Sequence, residues 1–211
     1  MKGGAAMKKH MVITIGRQFG SGGREIGRGL AEHFGIPFYD KELIVASAKK
    51  SGLSEAMFEN VDEQAASSLL YSLVLGAYAP TAGLAGMPPL SVNETLFQVQ
   101  SDVIKELALE SSCVIVGRCA DYILRERKDC VNLFIHAPMA SRIERAVGKY
   151  GVVKEKAEDV IHKTDKKRAN FYNYYSGQRW GDAKNYHFSL DSSLLGTEGS
   201  VNALAAVLEH V

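Results

Sequence analysis

A glycine-rich segment between a β-branched run and a helical pattern constrains this chain more than any other feature. The run Val12-Ile13-Thr14-Ile15 predicts a buried strand. Four glycines follow it: Gly16, Gly20, Gly22 and Gly23. Apolar residues then recur every four positions, at Ile26, Leu30 and Phe34, which predicts a helix that ends at Gly35. A strand, a glycine loop and a helix in this order form the first unit of a parallel α/β fold.

Later segments continue the alternation of strands and helices. Short strands are predicted at 37–40, 113–117, 131–136 and 186–192. Helices are predicted at 139–149, 154–175 and 201–208, and at several earlier stretches. The pattern predicts a single α/β domain over residues 1–211, doubly wound in three layers around about five parallel strands. Ligands of such sheets bind at the carboxyl ends of the strands.

The glycine loop is suited to an anion, because glycines let backbone N–H groups turn toward a phosphate at a helix start. The literal P-loop pattern G-x-x-x-x-G-K-[ST] is not met. With Gly22 as its second glycine, Gly23 stands at the lysine position and Arg17 at the first glycine position. Arg24 is the nearest following cation, and we expect it to supply the missing charge. The alternative is a tight turn that binds nothing.

Ser21 and Glu25 are the predicted Mg²⁺ ligands of this loop. A serine hydroxyl or a carboxylate beside the phosphates would suit a hard cation. Glu25 has an alternative role, because an acidic residue in the first turn of a helix is favourable by itself.

Charged residues follow other predicted strands. Arg118 comes directly after the 113–117 strand, where a guanidinium can grip a phosphate with two N–H groups, unless it is an ordinary surface arginine. Asp40 ends the second strand and either binds a sugar or base amine or caps the next helix. Asp121, three residues past Arg118, either joins the site or only orients that arginine.

Two later helical patterns carry further basic residues. Arg145 shares a helix face with Arg142, and Arg168 shares one with Asp165. A basic helical arm that closes over phosphates would stabilise the negative charge of a phosphoryl-transfer transition state. The alternative is a solvated charged helix.

Composition excludes several other classes of protein. Lys and Arg number 25 against 24 Asp and Glu, and this formal charge of +1 argues against a nucleic-acid binder. Three cysteines fit neither a zinc pattern nor a closed disulfide set, which favours a reducing, cytoplasmic compartment. No apolar run is long enough to span a membrane. Residues 1–10 are expected to be a disordered leader.

As a set, these segments resemble the cytidylate kinase-like family of P-loop kinases. The matching stretches are ITIGRQFGSGGREIGRGLAEHFGIPFYDKELI, VNETLFQVQSDVIKELA, VIVGRCADYIL and TDKKRANFYNYYSGQRWGDAKNYHFSLDSSLLG. The resemblance implies a P-loop NTPase fold, with a nucleoside-monophosphate-binding insert at about 41–92 and a lid at about 150–185. It also implies ATP and Mg²⁺ as donor and cofactor, and CMP or dCMP as acceptor.

Carried over by position, the resemblance assigns roles to individual residues. Gly20 to Arg24 would be the phosphate loop, and Asp40 and Arg118 would contact the acceptor. Asp165 and Arg168 would belong to the lid, and Arg145 would contact phosphate. The chain departs from the family at Gly23, where a lysine is usual, and at Cys119, where an acid follows the Gly-Arg pair.

The predicted function is ATP-dependent transfer of a phosphoryl group to a nucleoside monophosphate, by a protein that acts as a monomer or a homodimer. Arg24, Arg118 and Arg168 are the predicted catalytic residues. Two alternatives remain open at this point. One is a kinase of another small molecule, and the other is a non-catalytic nucleotide-binding protein, which the missing lysine favours.

Overall fold

The computed structural model describes residues 9–40 and 92–211. The predicted insert at about 41–92 therefore lies almost wholly outside the described residues. Five strands are present: β1 (Val12–Arg17), β2 (Phe38–Tyr39), β3 (Cys113–Val116), β4 (Cys130–His136) and β5 (Phe188–Asp191). The α-helices are α1 (Gly23–Phe34), α2 (Val92–Glu110), α3 (Ala120–Ile123), α4 (Met139–Tyr150), α5 (Ala157–Ser176) and α6 (Ser192–Leu208). Short 3₁₀ turns occupy Lys154–Lys156 and Ala183–Asn185.

The strands form one sheet in the order β2-β3-β1-β4-β5, and every pairing is parallel. All five predicted strands are confirmed. β1 lies between β3 and β4. The strands that follow β1 in sequence are therefore added first on one side of it, as β2 and β3, and then on the other side, as β4 and β5. The carboxyl end of β1 is therefore the place where a doubly wound sheet opens a crevice for a ligand.

Alternation along the strands builds the main apolar core on one face of the sheet. Ile13 and Ile15 of β1 join Val114, Val116, Leu133 and Ile135 of the neighbouring strands there. Helix α1 buries Ile26, Leu30 and Phe34 in the same cluster, and α6 adds Leu204 and Leu208. The two helices approach closely at Gly29, where a Cβ would lie 2.7 Å from Val201 Cγ2.

Residues of the opposite sheet face are partly polar. Thr14 Oγ1 donates to Asn132 Oδ1 at 2.7 Å, and the ring of Phe134 lies 4.9 Å from that of Tyr186. The Asn132 amide oxygen thereby receives a donor in a buried setting.

The prediction of the last helix was wrong at its start. The pattern predicted a helix only at 201–208, whereas α6 begins at Ser192. Asp191 caps it by accepting from Ser193 N at 2.9 Å. Gly196 interrupts the helix with φ 65° and ψ −175°, so two helical pieces meet at this residue. Among the described residues, no helix combines the length and the apolar composition that a bilayer crossing requires.

Candidate active site

The glycine loop lies at the carboxyl end of β1 and enters α1 without a side-chain cap. Gly22 is the N-cap residue, with φ 79° and ψ 9°. The first intrahelical bond runs from Ile26 N to Gly22 O at 2.9 Å. The N–H groups that precede it have no intrahelical acceptor and form the positive end of the helix dipole. Such a helix start is a binding site for an anion.

Three arginines from two helices hold carbonyl groups of the loop. The bonds run from Arg142 Nε to Phe19 O (2.7 Å), from Arg145 Nη1 to Gly20 O (2.9 Å) and from Arg168 Nη1 to Arg17 O (3.1 Å). The carbonyl and N–H of a trans peptide unit point in opposite directions. These contacts therefore fix the loop with the adjoining N–H groups turned away from the three arginines.

Asp165 of α5 completes this support. Its Oδ1 accepts from Phe19 N at 2.7 Å, and its Oδ2 forms a close ion pair with Arg142 Nη2. The side chains of Arg142 and Asp165 are 6% and 15% exposed. Both carboxylate oxygens of Asp165 are thus bonded to the protein. Its predicted contact with a substrate stays a prediction.

A strained turn follows β3. Gly117, Arg118 and Cys119 have φ values of 81°, 56° and 56°, three consecutive residues in the left-handed region. For each of the two non-glycine residues this backbone costs roughly 1–2 kcal/mol. Strain of this kind concentrates at ligand-binding sites. The turn places the guanidinium of Arg118 6.0 Å from the ring centroid of Phe171 on α5.

Arg17 lies at the centre of a cationic cluster. Its guanidinium packs on Gly117, where a Cβ would overlap Nη1. Burial, together with the nearby charges of Arg168 and Arg118, lowers the pKa of Arg17 to about 9, although Asp40 acts in the opposite direction. The cations outnumber the carboxylates around this side chain, so an anion bound here would be strongly favoured.

Arg24 pairs with Asp40. Its Nε and Nη2 atoms donate to Asp40 Oδ2 at 2.8 and 2.6 Å. The carboxylate is buried, whereas half of the Arg24 side chain is exposed. This pair brings Arg24 to the carboxyl end of β2, where the sequence places the acceptor contact of Asp40. The predicted role of Arg24 as the replacement for the lysine stays a prediction.

The two predicted metal ligands have different environments. Ser21 is fully buried, and its hydroxyl donates to Gln18 O at 2.9 Å, within the loop itself. Glu25 Oε1 accepts from Tyr150 Oη at 2.8 Å, while Oε2 is buried and has no hydrogen-bond partner among the described residues. Burial and this bond to Glu25 raise the pKa of Tyr150. Glu25 thus has one oxygen bonded to Tyr150 and one without a partner among the described residues, whereas the Ser21 hydroxyl is bonded within the loop. The metal-binding roles of both residues stay predictions.

Asp121 is buried behind the β3 turn. Its Oδ2 accepts from Tyr172 Oη of α5 at 2.8 Å. Burial raises the pKa of Asp121, although the hydrogen bond from Tyr172 opposes that shift. The contact ties the turn that carries Arg118 to the carboxyl-terminal part of α5.

The family model described as the cytidylate kinase-like family matches residues 12–194, which is most of the chain. The chain belongs to the cytidylate kinase-like family. A cytidylate kinase of Pyrococcus abyssi is 25% identical over 203 residues, covering 95% of each chain. Another, from Pyrococcus horikoshii, is 23% identical over 206 residues, covering 97% of this chain and 91% of the relative.

Solved structures share the fold of this cytidylate kinase-like protein. An uncharacterized protein from Eubacterium ventriosum has a TM-score of 0.71 at 25% identity, covering 95% of this chain and 99% of its own. Shikimate kinase from Bacteroides thetaiotaomicron has a TM-score of 0.54 at 15% identity over 95% and 99% of the two chains. The predicted P-loop kinase fold is confirmed.

Sequence reasoning assigned no site role to three side chains that shape the loop of this cytidylate kinase-like protein: Arg142, Tyr150 and Ser192. Ser192 Oγ donates to Ser21 O at 2.5 Å from the start of α6. Only Arg142 carried a signal, because it shares a helix face with Arg145. Within the described part of the chain, no cluster of three His, Cys, Asp or Glu residues could hold a metal.

Proposed function

We propose that this protein transfers the γ-phosphoryl group of ATP to a nucleoside monophosphate, with CMP or dCMP as the acceptor. One observation carries the proposal: Arg17 packs against the uncapped start of α1 at Gly23, and the charges of Arg24, Arg118 and Arg168 lie close enough to act on it. A loose phosphoryl-transfer transition state spreads negative charge over several oxygens, and catalysis consists mostly of positioning and charge stabilisation.

The elements divide the cations between the two substrates. The glycine loop and the start of α1 receive the donor phosphates. Arg118 at the end of β3 and the Arg24–Asp40 pair at the end of β2 receive the acceptor. Arg168 belongs to α5, so a movement of that helix toward the loop would bring its guanidinium onto the transferred group and exclude water.

The site fits Mg²⁺ through one carboxylate. Magnesium in kinase sites keeps several waters and is held by one or two carboxylates together with substrate phosphates. Glu25 meets this requirement, since Oε2 is buried without a hydrogen-bond partner among the described residues. When bound, the ion would neutralise phosphate charge. The positioning of Glu25 itself comes from Tyr150, which donates to its other oxygen.

Cytidylate kinases that align with nearly the full chain support CMP as the acceptor. A non-catalytic nucleotide-binding protein is the second candidate, and one observation favours it: a glycine, Gly23, occupies the lysine position of the P-loop pattern. Both candidates would bind ATP, but only the kinase would transfer its phosphoryl group to an acceptor.

The deciding experiment is a coupled ADP-release assay with ATP and Mg²⁺ against CMP, dCMP, UMP, AMP and GMP. We expect turnover that is selective for CMP or dCMP. A matched preparation of Arg118→Gly, which lacks an acceptor cation, controls for contaminating kinases. ATP binding by calorimetry without turnover of any acceptor would favour the non-catalytic candidate, and turnover of a different acceptor would reassign the substrate.

A further inference from the structure

Two positions of the glycine loop carry exchanged residue types. In the pattern G-x-x-x-x-G-K the first position is a glycine and the seventh is a lysine. With Gly22 as the second glycine, this chain has Arg17 at the first position and Gly23 at the seventh. The cation has not been lost from the loop, because the arginine stands where the pattern has a glycine.

The structure places these two positions in direct contact. A Cβ built on Gly23 would lie 2.5 Å from Arg17 Cβ and 3.2 Å from Ile135 Cβ. Real Cβ atoms do not approach each other so closely, so a side chain at position 23 requires position 17 to lose its own. Arginine at 17 and glycine at 23 are therefore compatible, whereas two side chains together are not. The reverse types remove this collision and leave the 3.2 Å approach to Ile135 Cβ, which requires a small shift of that side chain.

The guanidinium of Arg17 extends from this contact to the turn that follows β3. It packs on Gly117, where any side chain would overlap it, next to the turn that presents Arg118. Arg168 belongs to α5, and its Nη1 donates to the carbonyl oxygen of Arg17 at 3.1 Å. Among the described residues, no carboxylate forms an ion pair with Arg17, whereas Arg24 pairs with Asp40.

We infer that Arg17 takes the place of the P-loop lysine and binds the donor's terminal phosphates, and that positions 17 and 23 have exchanged residue types reciprocally. The inference rests on the proposed function only in naming a nucleoside triphosphate as the ligand. Under this inference, Arg17 at the end of β1 is the cation that binds the donor's phosphates, and Arg24 lies on the acceptor side.

Binding of tripolyphosphate and of ATP·Mg²⁺, measured by calorimetry, tests the exchange without requiring turnover. We expect Arg17→Ala to weaken tripolyphosphate binding about 10- to 100-fold, the range that the loss of a charged hydrogen bond gives. Gly23→Lys alone is expected to weaken it similarly, because its side chain collides with Arg17. The double variant Arg17→Gly/Gly23→Lys recreates the ordinary pattern and is expected to return within about threefold of the wild-type affinity.

Two control variants separate the exchange from simpler effects. Arg28→Ala removes an exposed arginine of α1 that lies over Phe38, and it leaves binding unchanged. Arg17→Gly/Gly23→Ala relieves the same collision without restoring a cation, so it stays weak. Thermal melting of each variant confirms that it is folded.

The outcomes keep this inference apart from the proposed function. The exchange is supported if the wild type binds tripolyphosphate, Arg17→Ala loses that binding and Arg17→Gly/Gly23→Lys recovers it. This holds even if no nucleotide acceptor turns over. Unchanged binding in folded Arg17→Ala, a folded double lysine variant as weak as the single ones, or no binding of tripolyphosphate by the wild type would overturn it. Normal CMP turnover in Arg17→Ala would also overturn it while leaving the proposed function in place.

Discussion

Arg118 and Cys119 hold a backbone conformation that L-residues rarely adopt, with φ of 56° at both. A glycine at position 118 would adopt it without a steric cost, yet the chain keeps an arginine there. The guanidinium lies over the ring of Phe171 on α5, and Gly117 before it receives the Arg17 side chain. The strain is therefore consistent with a side chain retained for ligand binding.

Arg118→Gly and Arg118→Ala remove the same guanidinium and should differ in stability. We expect the free energy of unfolding of the glycine variant to be higher by about 1 kcal/mol, because alanine keeps the left-handed penalty. Both variants should raise the KM of the acceptor more than that of ATP, by about tenfold. Urea denaturation and initial rates measure the two effects.

A helical position provides the matched comparison. Lys167 is an exposed residue inside α5, and there Lys167→Gly should be less stable than Lys167→Ala by about 1 kcal/mol, the opposite order. Equal stability of the two Arg118 variants would show that the turn relaxes to an ordinary conformation when the guanidinium is removed.

At the scale of elements, the glycine loop is held in place by α4 and α5. Carbonyl groups of the loop accept hydrogen bonds from arginines of both helices, and Asp165 of α5 accepts from Phe19 N. The loop conformation is thus set by contacts more than 100 residues away in sequence. The two helices thus support the loop through its carbonyl groups and through Phe19 N.

Asp165→Ala should destabilise the protein strongly. The change leaves Arg142 buried without its carboxylate, and breaking one side of such a pair costs about 3 kcal/mol or more. Asp159→Ala, on an exposed turn of α5, breaks a 3.5 Å pair with Lys163 and should change the unfolding free energy by less than about 0.5 kcal/mol. Urea denaturation measures both. Similar small losses would mean that Arg142 finds water or another acceptor.

The whole molecule carries almost no net charge, with 25 basic and 24 acidic side chains. Four arginines nevertheless lie close together at the carboxyl edge of the sheet, where Arg168, Arg118 and Arg24 act on the charge of Arg17. A local positive field of this kind attracts small polyanions.

The stability of the whole molecule should depend on the titration of Asp121. Burial raises its folded-state pKa above the unfolded value, so the protonated carboxyl stabilises the fold at low pH. That contribution is lost as pH rises through the folded-state pKa. Asp121→Asn keeps an acceptor for Tyr172 and does not titrate. Its unfolding free energy relative to wild type should therefore increase from about pH 4 to about pH 7.

Urea denaturation across this pH range, with Asp159→Asn as a control for the loss of a surface charge, measures the effect. A relative stability of Asp121→Asn that stays constant with pH would contradict the raised pKa. Tyr172→Phe should lower stability at neutral pH, because it removes the donor that faces the buried carboxylate.

Local patterns were sufficient for most elements. The strand Cys113–Val116 is continuous and apolar because it is covered on both faces, and a composition of this kind is visible in the sequence. The start of α6 was not visible, because Gly196 interrupts the helix and Gly199 lowers its propensity. The piece before Gly196 begins at the cap that Asp191 provides. The roles that the sequence predicted for Ser21, Glu25 and Asp40 stay predictions, now with defined surroundings.

The sequence by itself determined the strand-loop-helix unit at residues 12–34, the parallel α/β class and the placement of arginines and acids at strand ends. These follow from side-chain periodicity and glycine content, which act over a few residues. Only the tertiary structure decided that the guanidinium of Arg17 packs on Gly117, that Asp165 supports Phe19, and that Asp121 meets Tyr172. Those partners are distant in sequence, and the strand order and the packing of α4 and α5 on the sheet bring them together.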